Sequence, residues 1–547
     1  MAPSTPDRRH TALDIALLVA LVATSALPYV THLGFYSDDW DFIGGMATAR
    51  DQTLGGYMRT IWDQDPARPV FARVVALEYW LFGAAPLGYH LVNHALLAAA
   101  SVFLYLSLRR LGLPRVLAVA WPAVFSLLPH YATDRLWLSI VHVDLSVWAW
   151  TVSLWAALTS ATSLRPALWR AVSLAAAAIS VLSYEVAAPL LLLVPFAEYA
   201  ALGGAEAPRR RTRRAVATGL GMAAIIGAAA AYKVAVSPRV VIPAASYVEY
   251  VRWLFASAFH TSLVELGWQL PAKVMTVLRD HADRARPLTA LGLGVIVAVA
   301  VHRASRSSPV AAIGRGTWAA LAAGGLGLVA AGYATFLVTS HVGFHATGMN
   351  NRTAIAAALG VAAFAIGAWG GAVSLLPARA RHAPFVIGLA LVAASASLVT
   401  MLTASYWADA SSEQQRVIAQ LRQDVPTLPP GSRLLLDGLC PYRGAGTVFE
   451  TDWDTSGLVR WIYRDASLSG DVLRPAPAID GDAVITGIYE AVTRNPFDER
   501  LFVYDVDRRT LTPLPDADAA ERYFSAARQV SRPACVRGQE GSGAPVF

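Results

Sequence analysis

Charge is scarce in this chain. Of its 547 residues only 15% are Asp, Glu, Lys or Arg, and cysteine occurs just twice. Zinc-spaced Cys/His clusters, a glycine-rich phosphate loop and internal repeats are all missing. Their lack excludes zinc modules, P-loop nucleotide enzymes and solenoids. So few charges also exclude an ordinary soluble protein. What fills the space is apolar: 55% of residues are hydrophobic and the mean hydropathy is +0.44. Apolar runs of about 17 to 23 residues recur, the length needed to cross a bilayer core.

These runs predict a mainly α-helical, polytopic membrane protein with about 11 transmembrane helices. The spans are expected near 11–30, 87–108, 116–128, 145–162, a pair within 171–202, then 215–236, 288–301, 318–338, 353–375 and 384–406. The net charge of +7 does not point to nucleic acid, because the basic residues sit in short loops: "RRLGLPR", "RPALWR", "RRRTRR" and "PARARH". That distribution is the positive-inside signal that orients a membrane protein. It predicts a cytoplasmic N-terminus in a plasma-membrane protein. The first apolar run follows "DRRH" like a signal peptide but is read as an uncleaved span. Both readings place residues 31–86 outside the cytoplasm.

Two domains are expected: a transmembrane domain, 1–406, and an extracytoplasmic soluble α+β domain, 407–547. The second is charged, proline-rich and marked by strand-like runs such as "RLLLDG", "AVITGIY" and "RLFVYDV". Both cysteines, Cys440 and Cys535, fall there. A disulfide between them fits an oxidising outer compartment and would stabilise by about 4 to 5 kcal/mol; two free buried thiols are the alternative. Two outer loops are long. Residues 31–86 include "RPVFARVVALEYWLFG", read as an amphipathic interfacial helix. Residues 237–287 carry Glu249, Arg252, His260 and Glu265 on one face, and are read as interfacial helices or a further span.

The stretch with chemistry in it is "GFYSDDWDFIGG", where Asp38, Asp39 and Asp41 follow directly on the first span. One capping side chain, Ser37 or Asp38, would suffice for a helix N-terminus. An adjacent pair repels itself, which raises one pKa and suits a general base or a metal ligand. Other polar residues reach the same outer face: Arg68, His90, Asn93, His130, Asp134, His142, Asp144, Glu185, Lys233 and Arg352. Each alone has a plain structural reading, and His90 is read as a packing residue. Together they describe a polar hollow at the lipid boundary, suited to an anionic phosphate on a lipid tail.

Several of these segments resemble the GT-C integral-membrane glycosyltransferases, nearest to the protein O-mannosyltransferase-like branch and its bacterial relatives. "YSDDWDF" is similar to their acidic motif in the first outer loop. "RPVFARVVALEYWLFGAAPLGYHLVNHALL" resembles their most specific run. "LLPHYATDRLWLSIVHVD", "LSYEVAAPLLL" and "GMNNR" resemble later loops, with Tyr184 standing where a Lys is frequent. The resemblance implies inverting transfer of a hexosyl or pentosyl group from a polyprenyl-phosphate donor to a hydroxyl on an extracytoplasmic glycan, lipid or protein. It implies Asp38 as base with Asp39 as rival, and Asp41 as a cap or loop residue. Arg352, Lys233 and Arg68 are expected at the donor phosphate, with Arg239 as an alternative to Lys233. Asp134, Glu185 and His142 are expected at the acceptor or a cation. Members differ in metal need, so a divalent cation (Mg2+, Mn2+ or Ca2+) is an open question here. Trp453, Trp461 and Tyr463 suit either sugar stacking or the core of the outer domain. A lipid-linked-sugar flippase, or a scaffold whose acidic loop only caps a helix, are the rival readings.

Overall fold

The structure, a computed structural model, describes residues 8–203, 207–237, 246–338, 343–473, 478–488 and 491–528. Among them, nine helices are long and apolar enough to cross a membrane: Arg8–Ala26, Pro86–Arg110, Leu138–Ser160, Pro166–Ser183, Pro208–Val236, Pro287–Ser307, Arg315–Val338, Met349–Val373 and Ala378–Asp424. The protein is mainly helical and polytopic, as its apolar runs predict.

Two of the eleven expected spans are not full-length helices. The run at 116–128 forms a helix of only 11 residues, Arg115–Phe125, with Pro122 inside it. At 1.5 Å per residue it covers about 16 Å, roughly half a bilayer core. The second leg of the 171–202 pair is broken into Glu185–Ala187, Ala188–Leu191 and Val194–Ala201. Pro189 and Pro195 each lack an N–H to continue the preceding turn, so each starts a new helix.

Arg115 was expected as an inner-loop cation that only orients the chain. It is instead buried, pairing with Asp14 of the first span through Nη2–Oδ1 at 2.6 Å and Nε–Oδ2 at 2.7 Å. Tyr105 donates a further hydrogen bond to Asp14. This fork ties the short helix to the first span and to Pro86–Arg110. Elsewhere, helices Arg315–Tyr333 and Ile355–Val373 pack backbone to backbone. A Cβ on Gly332 would lie 2.4 Å from the Ala357 nitrogen, the close approach expected of the "GGLGLVAAG" run.

The long loop after 237 folds into helices Tyr247–Phe259, Leu270–Asp280 and Ala282–Ala285, with a π-helical segment, His260–Trp268, after the first. None has the length and composition of a span. The helix of the last expected span continues past residue 406. Helix His382–Asp424 runs unbroken for 43 residues, and the expected domain boundary falls inside it. The C-terminal part then adds a mixed four-stranded sheet. Arg433–Asp437 lies between Ser469–Val472 and Leu501–Asp505, parallel to both, and Thr510–Pro513 closes one edge antiparallel. A separate antiparallel sheet is made by Ala478–Asp480, Ala483–Ile488 and Ala491–Pro496. Cys440 is disulfide-bonded; Cys535, its expected partner, lies outside the described residues.

Candidate active site

The acidic motif sits at a sharp corner. Ser37 takes φ 47° and ψ −121°, a backbone region that favours glycine, and helix Asp38–Ala47 begins immediately after it. The capping expectation fails for Ser37. Its hydroxyl makes no capping bond and donates instead to Glu450 Oε1 at 2.8 Å. Tyr36 pins the corner from behind: its hydroxyl donates to the Trp407 carbonyl at 2.8 Å, and its own carbonyl accepts from Trp137 Nε1 at 2.9 Å.

The three aspartates are separated in role by their surroundings. Asp39 is buried, with Oδ2 accepting the Tyr36 N–H at 2.8 Å and Oδ1 the Ser139 N–H at 2.7 Å. Burial nonetheless pushes its pKa up to about 7, those two bonds only partly opposing it. Asp38 is half-buried, and Oδ1 accepts from Trp453 Nε1 at 3.0 Å. Desolvation raises its pKa; the charge of Arg352, the Trp453 bond and the charge of Arg68 act in the opposite sense. Asp41 faces Gln64 and Arg460, with burial pushing its pKa up to about 6. Asp38 and Asp41 both keep an open side, and of the two Asp38 is the one on which two cations, Arg352 and Arg68, act.

Arg352 and Arg68, which act on Asp38, and Lys233, the third expected cation, come from three parts of the chain. Arg352, in the short 3-10 turn Met349–Ala354, stacks over Trp137 at 4.8 Å, and its buried Nη1 finds no partner among the described residues. Arg68 bonds Asp65 at 2.7 Å and lies over the Tyr184 ring at 4.9 Å. Lys233 pairs with Glu185 at 2.6 Å. All three cations are close enough to His142 to act on it electrostatically, and His142 packs edge-on against both Phe71 and Tyr184. Tyr184, standing where the resemblance leads one to expect Lys, therefore holds an arginine through its ring face. Arg239 lies outside the described residues.

The second acidic loop is sewn to the "GMNNR" turn. Thr133 donates its N–H to Asn351 and its hydroxyl to the Gly348 carbonyl, and Asn351 donates to the carbonyls of Pro129 and Ala346. Asp134 is fully buried behind this seam, and neither of its oxygens has a hydrogen-bond partner among the described residues. Burial and the charge of Asp144 raise its pKa well above the ordinary range. His90, Asn93 and His130 act as packing hydrogen-bonders, to the carbonyls of Gly34, Trp137 and Ser262. Among the described residues no group of three His, Cys, Asp or Glu side chains is assembled for a metal ion.

Three residues near the site carried no sequence signal for this role. Glu78, on the amphipathic helix Pro69–Phe82, points inward rather than to water, while Leu77, Trp80 and Leu81 are exposed. It shares a cavity of about 10 Å³ with Asp39, Tyr89 and Ser139, enough for about one water. Glu450 and Trp453 reach the acidic corner from sequence separations of 413 and 415 residues. Trp461 and Tyr463 serve the core instead. Trp461 packs on Trp40, and the Tyr463 hydroxyl donates to the Val425 carbonyl.

No family model and no curated protein matches the chain. Among solved structures, it is similar to ArnT from Cupriavidus metallidurans in the apo state, at 14% identity and a TM-score of 0.35 over 80% of this chain and 83% of that one. The figures for ArnT bound to undecaprenyl phosphate are 14% and 0.35, over 82% and 87%. The Archaeoglobus fulgidus oligosaccharyltransferase in complex with Zn and sulfate gives 14% and 0.38, over 83% of this chain and 62% of that one. Against that larger protein the chain spans less than two thirds of the length.

Proposed function

We propose that this chain is a membrane glycosyltransferase of the GT-C type. It would move a sugar from a polyprenyl-phosphate donor to a hydroxyl of an extracytoplasmic acceptor. The observation that carries this reading is the half-buried Asp38 carboxylate lying within the fields of Arg352 and Arg68, the former with a buried N–H lacking any partner among the described residues. An anionic group seated there would satisfy that donor and neutralise both guanidiniums. A phosphate at the lipid boundary fits, and the adjacent carboxylate is the base.

In the proposed step, an oxygen of Asp38 takes the proton from the acceptor hydroxyl. The hydroxyl oxygen attacks the anomeric carbon from the face opposite the phosphate. As the new C–O bond forms, the bond to the phosphate oxygen breaks and its electron pair leaves with the lipid phosphate. Arg352, Arg68 and Lys233 balance that charge. The anomeric configuration inverts. Lys233 contributes through its pair with Glu185, which fixes its position. Asp39, with both oxygens committed to backbone N–H groups, holds the corner. Asp134 and His142 would border the acceptor. In this reading the N-terminus lies in the cytoplasm, with the site and outer domain across the plasma membrane, as the basic short loops favour.

The test is comparison of cell-envelope glycans, and of transfer from extracted polyprenyl-phosphate sugars, between wild type and Asp38→Asn. Loss of transfer with retained binding of undecaprenyl phosphate supports the reading. Undiminished transfer, or lipid-sugar transport without transfer, overturns it.

A further inference from the structure

The outer domain touches the acidic corner with polar groups as well as with its apolar side. We propose that this domain is a working part of the active site: Trp453 is a positioning residue that fixes the Asp38 carboxylate, and Glu450 holds the strained turn that presents it. The inference rests on the reading of Asp38 as the base.

Three layers of contact build the arrangement. The backbones interlock first. A Cβ on Gly44 would lie 2.2 Å from the Gly457 carbonyl oxygen, and one on Gly457 would lie 2.1 Å from the Trp40 carbonyl oxygen. Helices Asp38–Ala47 and Asp452–Tyr463 therefore meet with no side chain between them. Trp40 then packs against Phe449 and Trp461, with ring centroids 6.4 and 5.5 Å away. The polar layer comes last. A capping box between Thr451 and Asp454 fixes the start of the second helix, and Asp454 also accepts the Glu450 N–H at 2.8 Å. Glu450, only 4% exposed, accepts from the Ser37 and Tyr442 hydroxyls. Trp453, the second residue of the helix, is thereby aimed at Asp38.

This geometry selects one oxygen. Rotation of an aspartate carboxyl about its last bond is soft and nearly two-fold. The indole N–H removes that freedom by occupying Oδ1, leaving Oδ2 to receive the proton. A hydrogen bond to the ionised carboxylate also favours that form. The turn at Ser37, with φ at 47°, is strained for a non-glycine residue, and the bond to Glu450 opposes its relaxation.

The experiment reads Asp38 directly, without turnover. The full chain in nanodiscs is treated with a hydrophobic carbodiimide, which modifies protonated carboxyls, across a pH series, and labelling of Asp38 is followed by mass spectrometry. The charged groups around Asp38 are Arg352, Arg68, Asp65, Asp39 and Asp41, with Glu450 bonded to the adjacent Ser37 and with Asp452 and Arg460 of the facing helix acting on Asp41; all but Glu450 stay in place in every variant. Trp453→Phe is expected to move the labelling midpoint up by about one pH unit, while Trp461→Phe leaves it unmoved. Trp453→Leu, which likewise has no donor, serves equally if the phenylalanine variant does not accumulate. Glu450→Gln removes the Glu450 charge while keeping an acceptor for Ser37; relative to it, Glu450→Ala is expected to move the midpoint up, and adding Ser37→Gly to bring it back, since glycine adopts that turn without support. An unmoved midpoint in the Trp453 variants, or no rescue by Ser37→Gly, overturns the inference. Asp38→Asn tests the transferase reading separately, so the two can fail independently.

Discussion

Asp39 and Ser139 are 100 residues apart in the chain, yet the aspartate Oδ1 accepts the serine N–H at 2.7 Å. The bond joins the first acidic loop to the second at the point where each carries its carboxylates. With Trp137 donating to the Tyr36 carbonyl beside it, it makes the two loops one rigid edge. Asp38 and Arg352 stand on that edge.

Neighbouring carboxylates should therefore respond differently to the same substitution. Asp38→Asn is expected to lower transfer by about 10²- to 10⁴-fold with the melting temperature nearly unchanged. Asp39→Asn leaves one of two buried backbone N–H groups without its acceptor, at a cost of about 1–3 kcal/mol, and should lower melting first and transfer second. Transfer assays and melting of the detergent-solubilised protein separate the two.

Acidity acts on Asp39 in a definite direction. Its folded pKa, about 7, lies above the unfolded value. The stability it contributes is thus complete below about pH 4 and is lost as pH rises through about 7. Asp41, at about 6, works in the same sense. The melting temperature is expected to fall by a few degrees between pH 5 and pH 8 from this source, and the slope to flatten in Asp39→Asn. An equal slope in both proteins would contradict the assignment.

Gly44→Ala pushes a methyl into the Gly457 carbonyl. Overpacking against backbone costs about 1–3 kcal/mol or more, and here it should prise the outer domain from the acidic helix. Faster limited proteolysis of the outer domain, with the membrane part intact, is the expected readout.

Arg352→Lys keeps the charge but loses the planar stack on Trp137. Weaker binding of undecaprenyl phosphate, by about tenfold, is expected, and Arg352→Gln should weaken it further. Lys233→Met leaves Glu185 without its 2.6 Å ion-pair partner and should reduce both binding and thermal stability.

Much of the membrane architecture was legible, because a run of apolar residues long enough to span a bilayer admits few alternatives. The exceptions have local causes. Pro189 and Pro195 break one expected span into short helices. Arg115 looked like a loop cation because nothing in its own neighbourhood reveals Asp14, 101 residues earlier. Within the candidate site, the acidic and basic residues stand out in the sequence because such residues are rare at a lipid boundary. Glu78 was hidden by the helical period, which does not say which face meets the protein. Trp453 and Glu450 were hidden by distance: no pattern within a window links residue 38 to residue 453.

Helix His382–Asp424 carries the chain from the bilayer into the outer domain without a joint, and at 43 residues it is about 65 Å long. A continuous helix transmits rotation as well as height. Each added residue would turn everything beyond it by about 100° and lift it by about 1.5 Å. Inserting a single alanine between the bilayer and Trp407 would therefore throw the outer domain out of phase with the acidic corner, whereas a whole-turn insertion would restore its bearing but not its height. The molecule has the mechanics of a key on a rigid shaft, with angular setting as much a part of its fit as shape.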